Sequence, residues 1–397
     1  MCAIQTPIPP RQPGQQHVLR LQTAPLEVVS VGFVGLGHRG IEAIRRWSSI
    51  PFARIAALCD LSSDNLHAAR KEAGSDNIAC HTDFHALCQA PDINLVYICT
   101  DWESHVPIAL EAMSNGKHAA IEVPAATRLA DIWALIDTAE RTRRHCMMLE
   151  NSVYDYFEMA VNNMVHQGVF GQVVHAEGGY LHDLGDKWTP WRIAFNARTR
   201  GDVYPTHGFG PLCQVLDIHR HDLLHTLVSM DTAPFSGPAL MQQHLGKTAE
   251  DYQNGDQTST LIRTLMGRSI LLQHNVINPR PYNRMYQVVG TEGYVAKYPT
   301  ETFYFKDQRD TVGLVQRYEP DFVKPLRAIG EATDHRGGMS FFMDYRLAEA
   351  LHKGLPLDMD VYDLAEWCAV SELSELSINH GSSPVEVPDF TRGAWRE

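Results

Sequence analysis

Tyr204-Pro205-Thr206-His207 sets a phenol three residues ahead of an imidazole, and Tyr180, Tyr282 and Arg192 add two more phenols and a guanidinium elsewhere in the chain. An imidazole titrates near neutral pH and suits a general base. A phenol can donate to a developing oxyanion, or take up a proton when its acidity is raised. A guanidinium offers a forked donor to hydroxyls or an amide oxygen. On residue type alone a histidine such as His207 is more often structural, Tyr180 reads also as a half-buried strand residue, and Arg192 equally as half of a surface ion pair.

Gly35-Leu36-Gly37-His38-Arg39-Gly40 points to a different chemistry, the holding of a diphosphate. Gly35 permits a tight strand-to-helix turn, Gly37 lets backbone approach a pyrophosphate, and Gly40 lets helix pack closely on strand. The anion then sits on a helix N-terminus. A β-branched run at 28–34 precedes the glycines, helical spacing follows them, and a second strand at 54–59 ends at Asp60. An acid about 20 residues beyond such glycines binds a ribose 2′-hydroxyl and repels a 2′-phosphate, so the expected cofactor is NAD rather than NADP.

The elements that must position these groups alternate through the first part of the chain. Strands are expected at 28–34, 54–59, 95–100, 118–123 and 146–151, and helices at 39–50, 65–73, 105–115 and 129–141. The alternation predicts an α/β fold, a Rossmann doubly wound sheet of about six parallel strands whose ligands sit at the strand carboxyl ends. Asp60, residues 100–105, Glu122 and Asn151 all fall at such ends. After Asn151 the pattern changes. A helix at 156–166 and strands with two-residue alternation at 173–181, 258–265, 269–275, 285–290 and 302–305 predict an α+β domain with an open, mostly antiparallel sheet. An irregular stretch at 183–210, crowded with Trp188, Trp191, Arg192, Tyr204 and His207, is expected to be a functional loop. Amphipathic helices are expected at 340–353 and 361–380, the second opened by Asp360 and stopped by Gly381. The domain expectation is a flexible Pro- and Gln-rich leader at 1–26, an NAD-binding domain at 27–151 and a substrate domain at 152–397, whose last helices can pack back on the first domain.

Composition narrows the partners. Over 397 residues, 44% are hydrophobic and 20% charged, as in soluble globular chains, and the net charge of −13 without a basic cluster argues against nucleic acid or an anionic membrane. No apolar run approaches the roughly 20 residues of a membrane-spanning helix. Eight scattered cysteines without a C-x-x-C pair fit reduced thiols in the cytoplasm, although an exported protein with a trimmed leader is also compatible. His219-Arg220-His221 and His225 cluster imidazoles, yet no carboxylates recur at ligand spacing, and no metal is expected.

The glycine hexad, Trp102-Glu103-Ser104-His105, Glu122-Val123-Pro124, Glu150-Asn151, Gly178-Gly179-Tyr180-Leu181-His182-Asp183, Trp191-Arg192, Tyr204-Pro205-Thr206-His207-Gly208, Arg280-Pro281-Tyr282-Asn283 and Pro388-Asp389-Phe390-Thr391 together resemble glycoside hydrolase family 109, the NAD-dependent N-acetylgalactosaminidases. The resemblance runs over residues 28–395, and its Y-P-T-H-G and G-G-Y-x-H-D segments are its most specific parts. The wider relatives are the glucose–fructose oxidoreductase and inositol dehydrogenase superfamily. Its simple dehydrogenases carry Glu-Lys-Pro at the fifth strand, with the lysine beside the reacting alcohol, where this chain has Val123.

The resemblance implies that NAD⁺ withdraws hydride from carbon 3 of an N-acetylhexosamine, which makes the carbon 2 proton removable. Elimination then expels the aglycone, water adds, and hydride returns, one of the NAD-dependent exceptions to two-carboxylate hydrolysis. It also implies His207 as general base, with Tyr204 and Tyr180 as catalytic partners, and sugar contacts from Tyr180, Arg192, Tyr204, Pro205, Thr206, His207 and Tyr282. On the cofactor side it assigns Gly35, Gly37, His38, Arg39 and Gly40 to the pyrophosphate turn and Asp60 to ribose. Trp102, Glu103, Ser104 and His105 go to the nicotinamide half, Glu122 and Val123 to its ribose edge, and Asn151 to the carboxamide side. A homodimer or homotetramer is implied by resemblance. Two other activities stay open: a sugar or inositol dehydrogenase that releases NADH, and a non-catalytic NAD-binding regulator.

Overall fold

A computed structural model describes residues 3–75, 77–247, 252–306 and 311–397. The chain forms two compact units, one of Pro9–Asp155 and Pro320–Ala365, the other of residues 3–8, Tyr156–Glu319 and Glu366–Arg396.

In the first unit a six-stranded sheet runs in the order β3-β2-β1-β4-β5-β6. Its strands are β1 (Val29–Val34), β2 (Ala53–Cys59), β3 (Ala79–His81), β4 (Leu95–Ile98), β5 (His118–Ile121) and β6 (Cys146–Met148), all paired in parallel. Every residue of β1 is buried, as expected of a central strand covered on both faces. The order reverses between β1 and β4, which is where an open α/β sheet opens a crevice for ligands. The sequence pattern assigns no range to β3, a three-residue edge strand without a buried residue, nor to the helix Phe84–Gln89 that follows it. Strands β4, β5 and β6 end at Ile98, Ile121 and Met148, two or three residues short of expectation; the residues beyond them are loop, except Asn151, which opens the 3-10 turn Asn151–Tyr154.

Residues 320–365 return to this unit as the helices Val323–Thr333 and Met339–Lys353. The second is fixed to the sheet through Asp344, whose carboxylate takes Arg46 Nε at 2.6 Å and the Tyr97 hydroxyl at 2.8 Å, with all three side chains buried. Removing one partner of such a buried pair typically costs about 3–5 kcal/mol, because the other charge is left unmatched. Residues 9–25, expected to be loose, are held: Arg11 pairs with Glu140 at 3.1 Å, Tyr362 Oη accepts from the Val18 amide, and Val18 and Leu21 are buried.

The second unit carries an eight-stranded sheet in the order β13-β12-β11-β7-β10-β9-β8-β14. Its strands are β7 (Val173–Leu181), β8 (Leu224–Asp231), β9 (Thr258–Thr264), β10 (Ser269–Asn275), β11 (Gln287–Gly290), β12 (Gly293–Ala296), β13 (Thr302–Phe305) and β14 (Val385–Glu386). Among the described strands only β7 and β10 pair in parallel, so the sheet is open and mostly antiparallel. Three of these strands, β8, β12 and β14, are absent from the sequence expectation. β11 starts at Gln287 rather than residue 285 because Met285 and Tyr286 have φ of 61° and 45°, incompatible with a strand.

The stretch 183–210 is not one irregular loop. It contains the helix Pro190–Arg198, with proline in its first turn, and the start of the helix Thr206–Val215. The last long helix, Val361–Asn379, keeps its expected signals: Asp360 Oδ1 accepts from the Tyr362 and Asp363 amides, and Gly381 has φ +67°.

Candidate functional site

The glycine turn lies at the β1/β4 reversal. Gly35 has φ +88°, and a Cβ there would stand 2.6 Å from the Cys99 carbonyl carbon and 2.8 Å from Thr100 N. A Cβ on Gly40 would lie 2.2 Å from Gly35 O, so helix His38–Trp47 approaches the turn as closely as backbone allows. On Gly37 a Cβ would meet nothing within 4 Å, and the helix has no side-chain cap. Open space above an uncapped helix N-terminus is what a pyrophosphate needs, so these residues fit the cofactor.

Asp60 follows β2 and already serves the turn, its Oδ2 accepting from Leu36 N at 2.6 Å and its Oδ1 from Ser62 N at 2.8 Å. Arg39 bridges two carboxylates, Glu122 at 2.9 Å and Glu42 at 3.2 Å, while His38 is mostly exposed and reaches Glu42 at 3.2 Å. Asp101 caps the helix Trp102–Ser114 by accepting from the Glu103 and Ser104 amides; Trp102 and His105 are buried and Glu103 is exposed. His105 sets Nε2 3.1 Å from Thr100 O and Nδ1 3.0 Å from Pro124 O, tying the end of β4 to the end of β5. Burial outweighs both carbonyls and lowers its pKa. The Val123–Pro124 peptide is cis, and Val123 is buried. Asn151 is buried and donates to Ser340 Oγ at 2.9 Å.

In the second unit three aromatic rings from distant segments meet. Tyr180 of β7 stacks on Tyr204 at 5.1 Å between centroids and meets His207 edge-on at 4.9 Å, and the Tyr204 hydroxyl lies 3.3 Å from His207 Nε2. Glycines make this possible. A Cβ on Gly178 would sit 2.2 Å from Gly208 O, and one on Gly208 would sit 2.3 Å from Gly179 N. The helix that begins at Thr206 therefore rests directly on β7, which brings His207 against Tyr180. Tyr282 meets Tyr180 at 6.3 Å, edge-on. Arg192 lies on the helix Pro190–Arg198 with its guanidinium 5.0 Å from the Trp191 ring, and Ile193 beside it belongs to the buried cluster on which Tyr180 packs. Pro205 and Thr206 are buried.

Five further side chains join this cluster. His182, which the sequence leaves outside the main set, stands 5.1 Å from Tyr282, its pKa lowered by burial and by Lys187. Arg284 Nη1 donates to the Tyr282 hydroxyl at 3.0 Å and is itself paired with the buried Glu158, which also takes Lys297 at 2.7 Å. Asp202 is buried and accepts from Tyr204 N at 3.1 Å; burial pushes its carboxyl up to about 7. Charged residues far apart in sequence carry no periodicity, so only the neighbouring Tyr282 and Tyr204 could have pointed to Arg284 and Asp202.

The histidine group at 219–225 scatters to separate partners. His219 is buried with Nδ1 2.8 Å from Glu366, His221 is exposed near Asp217, and His225 pairs with Thr226 Oγ1 at 2.7 Å. Among the described residues no helix is long and apolar enough to cross a membrane.

Residues 185–397 match the family described as glycosyl hydrolase 109, C-terminal domain, and residues 29–150 match the oxidoreductase family, NAD-binding Rossmann fold. The chain is 49% identical to glycosyl hydrolase family 109 protein 1 of Bacteroides fragilis (strain YCH46), over 99% of this chain and 92% of that protein. It is 47% identical to the family 109 protein of Porphyromonas gingivalis (strain ATCC BAA-308 / W83), over 99% and 91%. In fold it is similar to a levoglucosan dehydrogenase solved with NADH and L-sorbose, at TM-score 0.73 and 16% identity over 91% of this chain and all of that one. A scyllo-inositol dehydrogenase from Lactobacillus casei gives TM-score 0.68 at 14% identity, over 91% and 98%. With both halves matched and near-half identity along its length, the chain belongs to glycosyl hydrolase family 109 and is an NAD-dependent glycoside hydrolase.

Proposed function

We propose that this hydrolase removes terminal N-acetylgalactosamine, α-linked by preference, with β-linkages open to the same elimination route. When bound, NAD supplies a hydride acceptor for sugar carbon 3 and returns the hydride at the end of the cycle. His207 takes the carbon 2 proton once carbon 3 is a carbonyl, and the Tyr204 hydroxyl at 3.3 Å orients the imidazole and shares that proton. Tyr180 donates to the enolate oxygen. Arg192 and Tyr282 hold hydroxyls and the acetamido group, with the Pro205–Thr206 backbone completing the sugar contacts. Gly35, Gly37, His38, Arg39 and Gly40 hold the pyrophosphate and Asp60 a ribose. Trp102, Glu103, Ser104, His105, Glu122, Val123 and Asn151 surround the nicotinamide half.

The observation that carries this reading is the Tyr180–Tyr204–His207 cluster, which provides proton-transfer groups in a chain that has Val123 where simple dehydrogenases have lysine. A chromogenic N-acetylgalactosaminide tests it. The expected result is aglycone release without accumulation of NADH absorbance, with deuterium from solvent entering carbon 2. Accumulating NADH with free sugar, or neither signal, would overturn the N-acetylgalactosaminide reading.

A cytoplasmic homodimer or homotetramer completes the reading. The face of the eight-stranded sheet opposite Tyr180 exposes Met230, Leu261 and Tyr304, an apolar set suited to a second copy. Sedimentation of the wild type against Leu261→Asp checks the association.

A further inference from the structure

The segment between the helices Val323–Thr333 and Met339–Lys353 links two ends of the NAD cradle that the sheet itself leaves apart. At one end Asn151, just past β6, donates to Ser340 Oγ at 2.9 Å, and Ser340 N donates to Asp334 Oδ2 at 2.7 Å. Asp334 Oδ1 in turn accepts from Arg336 N at 3.1 Å. At the other end Arg336 Nη1 donates to Glu42 Oε2 at 3.2 Å, the oxygen that also accepts from Arg39. His335 and His38 reach the other Glu42 oxygen at 3.4 Å and 3.2 Å. Four basic side chains thus converge on one carboxylate in the first turns of the pyrophosphate-side helix, and Arg39 continues the chain of contacts to Glu122 at 2.9 Å.

We infer that residues 334–340 form a latch on the cofactor, with Arg336 and Glu42 as the positioning residues that hold it shut. Gly337 and Gly338, with φ of +73° and +90°, make the left-handed turn that carries the chain from Arg336 into the helix Met339–Lys353. Asp334 couples the two ends, since one carboxylate fixes both the start of the helix at Ser340 and the backbone of Arg336. The use of a latch rests on the proposed cycle, in which the same nicotinamide is reduced and reoxidised. A cofactor lost halfway would strand an oxidised sugar. The latch itself is measured without any sugar.

The protein is loaded with NADH, mixed with excess NAD, and the decay of nicotinamide fluorescence is followed. Arg336→Ala and Glu42→Gln are expected to release NADH about fivefold faster or more, with Arg336→Lys partly restoring retention, as loss of one or two half-buried ion pairs implies. Arg45→Ala, on the helix that carries Glu42, breaks a 2.7 Å pair with Glu72 of the helix Ser63–Ala73; it is the control and should release at the wild-type rate. Wild-type release from both Arg336→Ala and Glu42→Gln overturns the latch, as does equal acceleration by Arg45→Ala. Arg336 is partly exposed, so its variant folds, and circular dichroism verifies this. Failure of glycoside cleavage leaves this result untouched, and the reverse also holds.

Discussion

The two units build their sites in different ways. The cofactor unit uses backbone: a glycine turn at the reversal of one parallel sheet, an uncapped helix end, and carboxylates that hold basic side chains around it. The second unit uses side-chain rings from β7, from the first turn of the helix Thr206–Val215 and the residues just before it, and from the segment before β11, packed face-on or edge-on at centroid distances of 4.9–6.3 Å. A backbone cradle should suffer most at the glycines that leave no room for a Cβ, Gly35 and Gly40, and less at its side chains. A ring cluster should show the reverse, except where glycine lets one element touch another.

That exception is the sharpest test of the contrast. Gly40→Ala places a methyl 2.2 Å from Gly35 O, and Gly208→Ala places one 2.3 Å from Gly179 N. Each should destabilise its own unit by about 3 kcal/mol, the upper range for overpacking against atoms that have no room to yield. Gly40→Ala is expected to abolish NAD binding in a fluorescence titration, whereas Gly208→Ala should keep it and lose turnover. Equal loss of NAD affinity in both variants would break the contrast.

His207→Ala comes next. General base catalysis contributes about 10²–10⁴ in rate, so turnover should fall by that factor while NAD affinity stays within about twofold. An equal fall in affinity would remove His207 from the proton-transfer role. Smaller again is Arg284→Lys. A guanidinium only donates, so the Tyr282 oxygen accepts from it at 3.0 Å and the phenol must aim its own proton elsewhere. Losing the fork should lower kcat/KM about tenfold. On a Tyr282→Phe background the same substitution should cost little more, and an undiminished tenfold loss there would separate Arg284 from the phenol.

Asp60→Ala probes the cradle from its side-chain side. It removes the proposed ribose acceptor and also the carboxylate that takes Leu36 N at 2.6 Å, so NAD binding should weaken by about tenfold and NADP should gain relative to NAD. Unchanged NAD-to-NADP selectivity in a titration would take Asp60 out of the ribose role and leave it as a brace of the turn.

The contrast also explains what could be read from sequence. The cradle is local, so Gly35, Gly37, Gly40 and Asp60 announce themselves by spacing, and the strand ends converge by topology. The ring cluster was legible only as family motifs, since nothing in the spacing of Tyr180, Tyr204 and Tyr282 says that they meet. The Gly178–Gly208 contact that brings His207 to Tyr180 joins two motifs 30 residues apart, and its reason is visible only as a distance. The helix Pro190–Arg198 reads as irregular because Trp191, Ile193 and Phe195 recur at every second position, not at helical spacing. The segment 334–340 was silent: an Asp, a His, an Arg and two glycines between helices look like any connection until Glu42 is seen on the other side.

The smallest expected effect separates the units by acidity. In the first, burial pushes His145 down to about 4 and His118 and His105 below the usual histidine range; His118 Nδ1 accepts from His145 N at 3.0 Å and must stay unprotonated to do so. An unfolded histidine titrates near 6.5, so between about 6.5 and 4 the unfolded chain binds protons that the folded unit refuses, and stability falls as pH falls. Asp131 and Asp344, both raised by burial, offset part of this. In the second unit His274, also pushed down to about 4, acts in the same direction. There Asp202, raised to about 7, takes up a proton on folding and gains stability as pH drops from 7, and His166, raised by Asp217, favours the folded state below 6.5. Hydrogen exchange read at β5 and at β10 should therefore show the first unit losing protection sooner on acidification. His145→Asn should remove about 1.4 kcal/mol per pH unit from that slope, the value for a single proton, and Asp202→Asn should steepen the loss in the second unit alone. If both units lose protection in parallel and neither variant changes its slope, burial of these groups does not set the acid response.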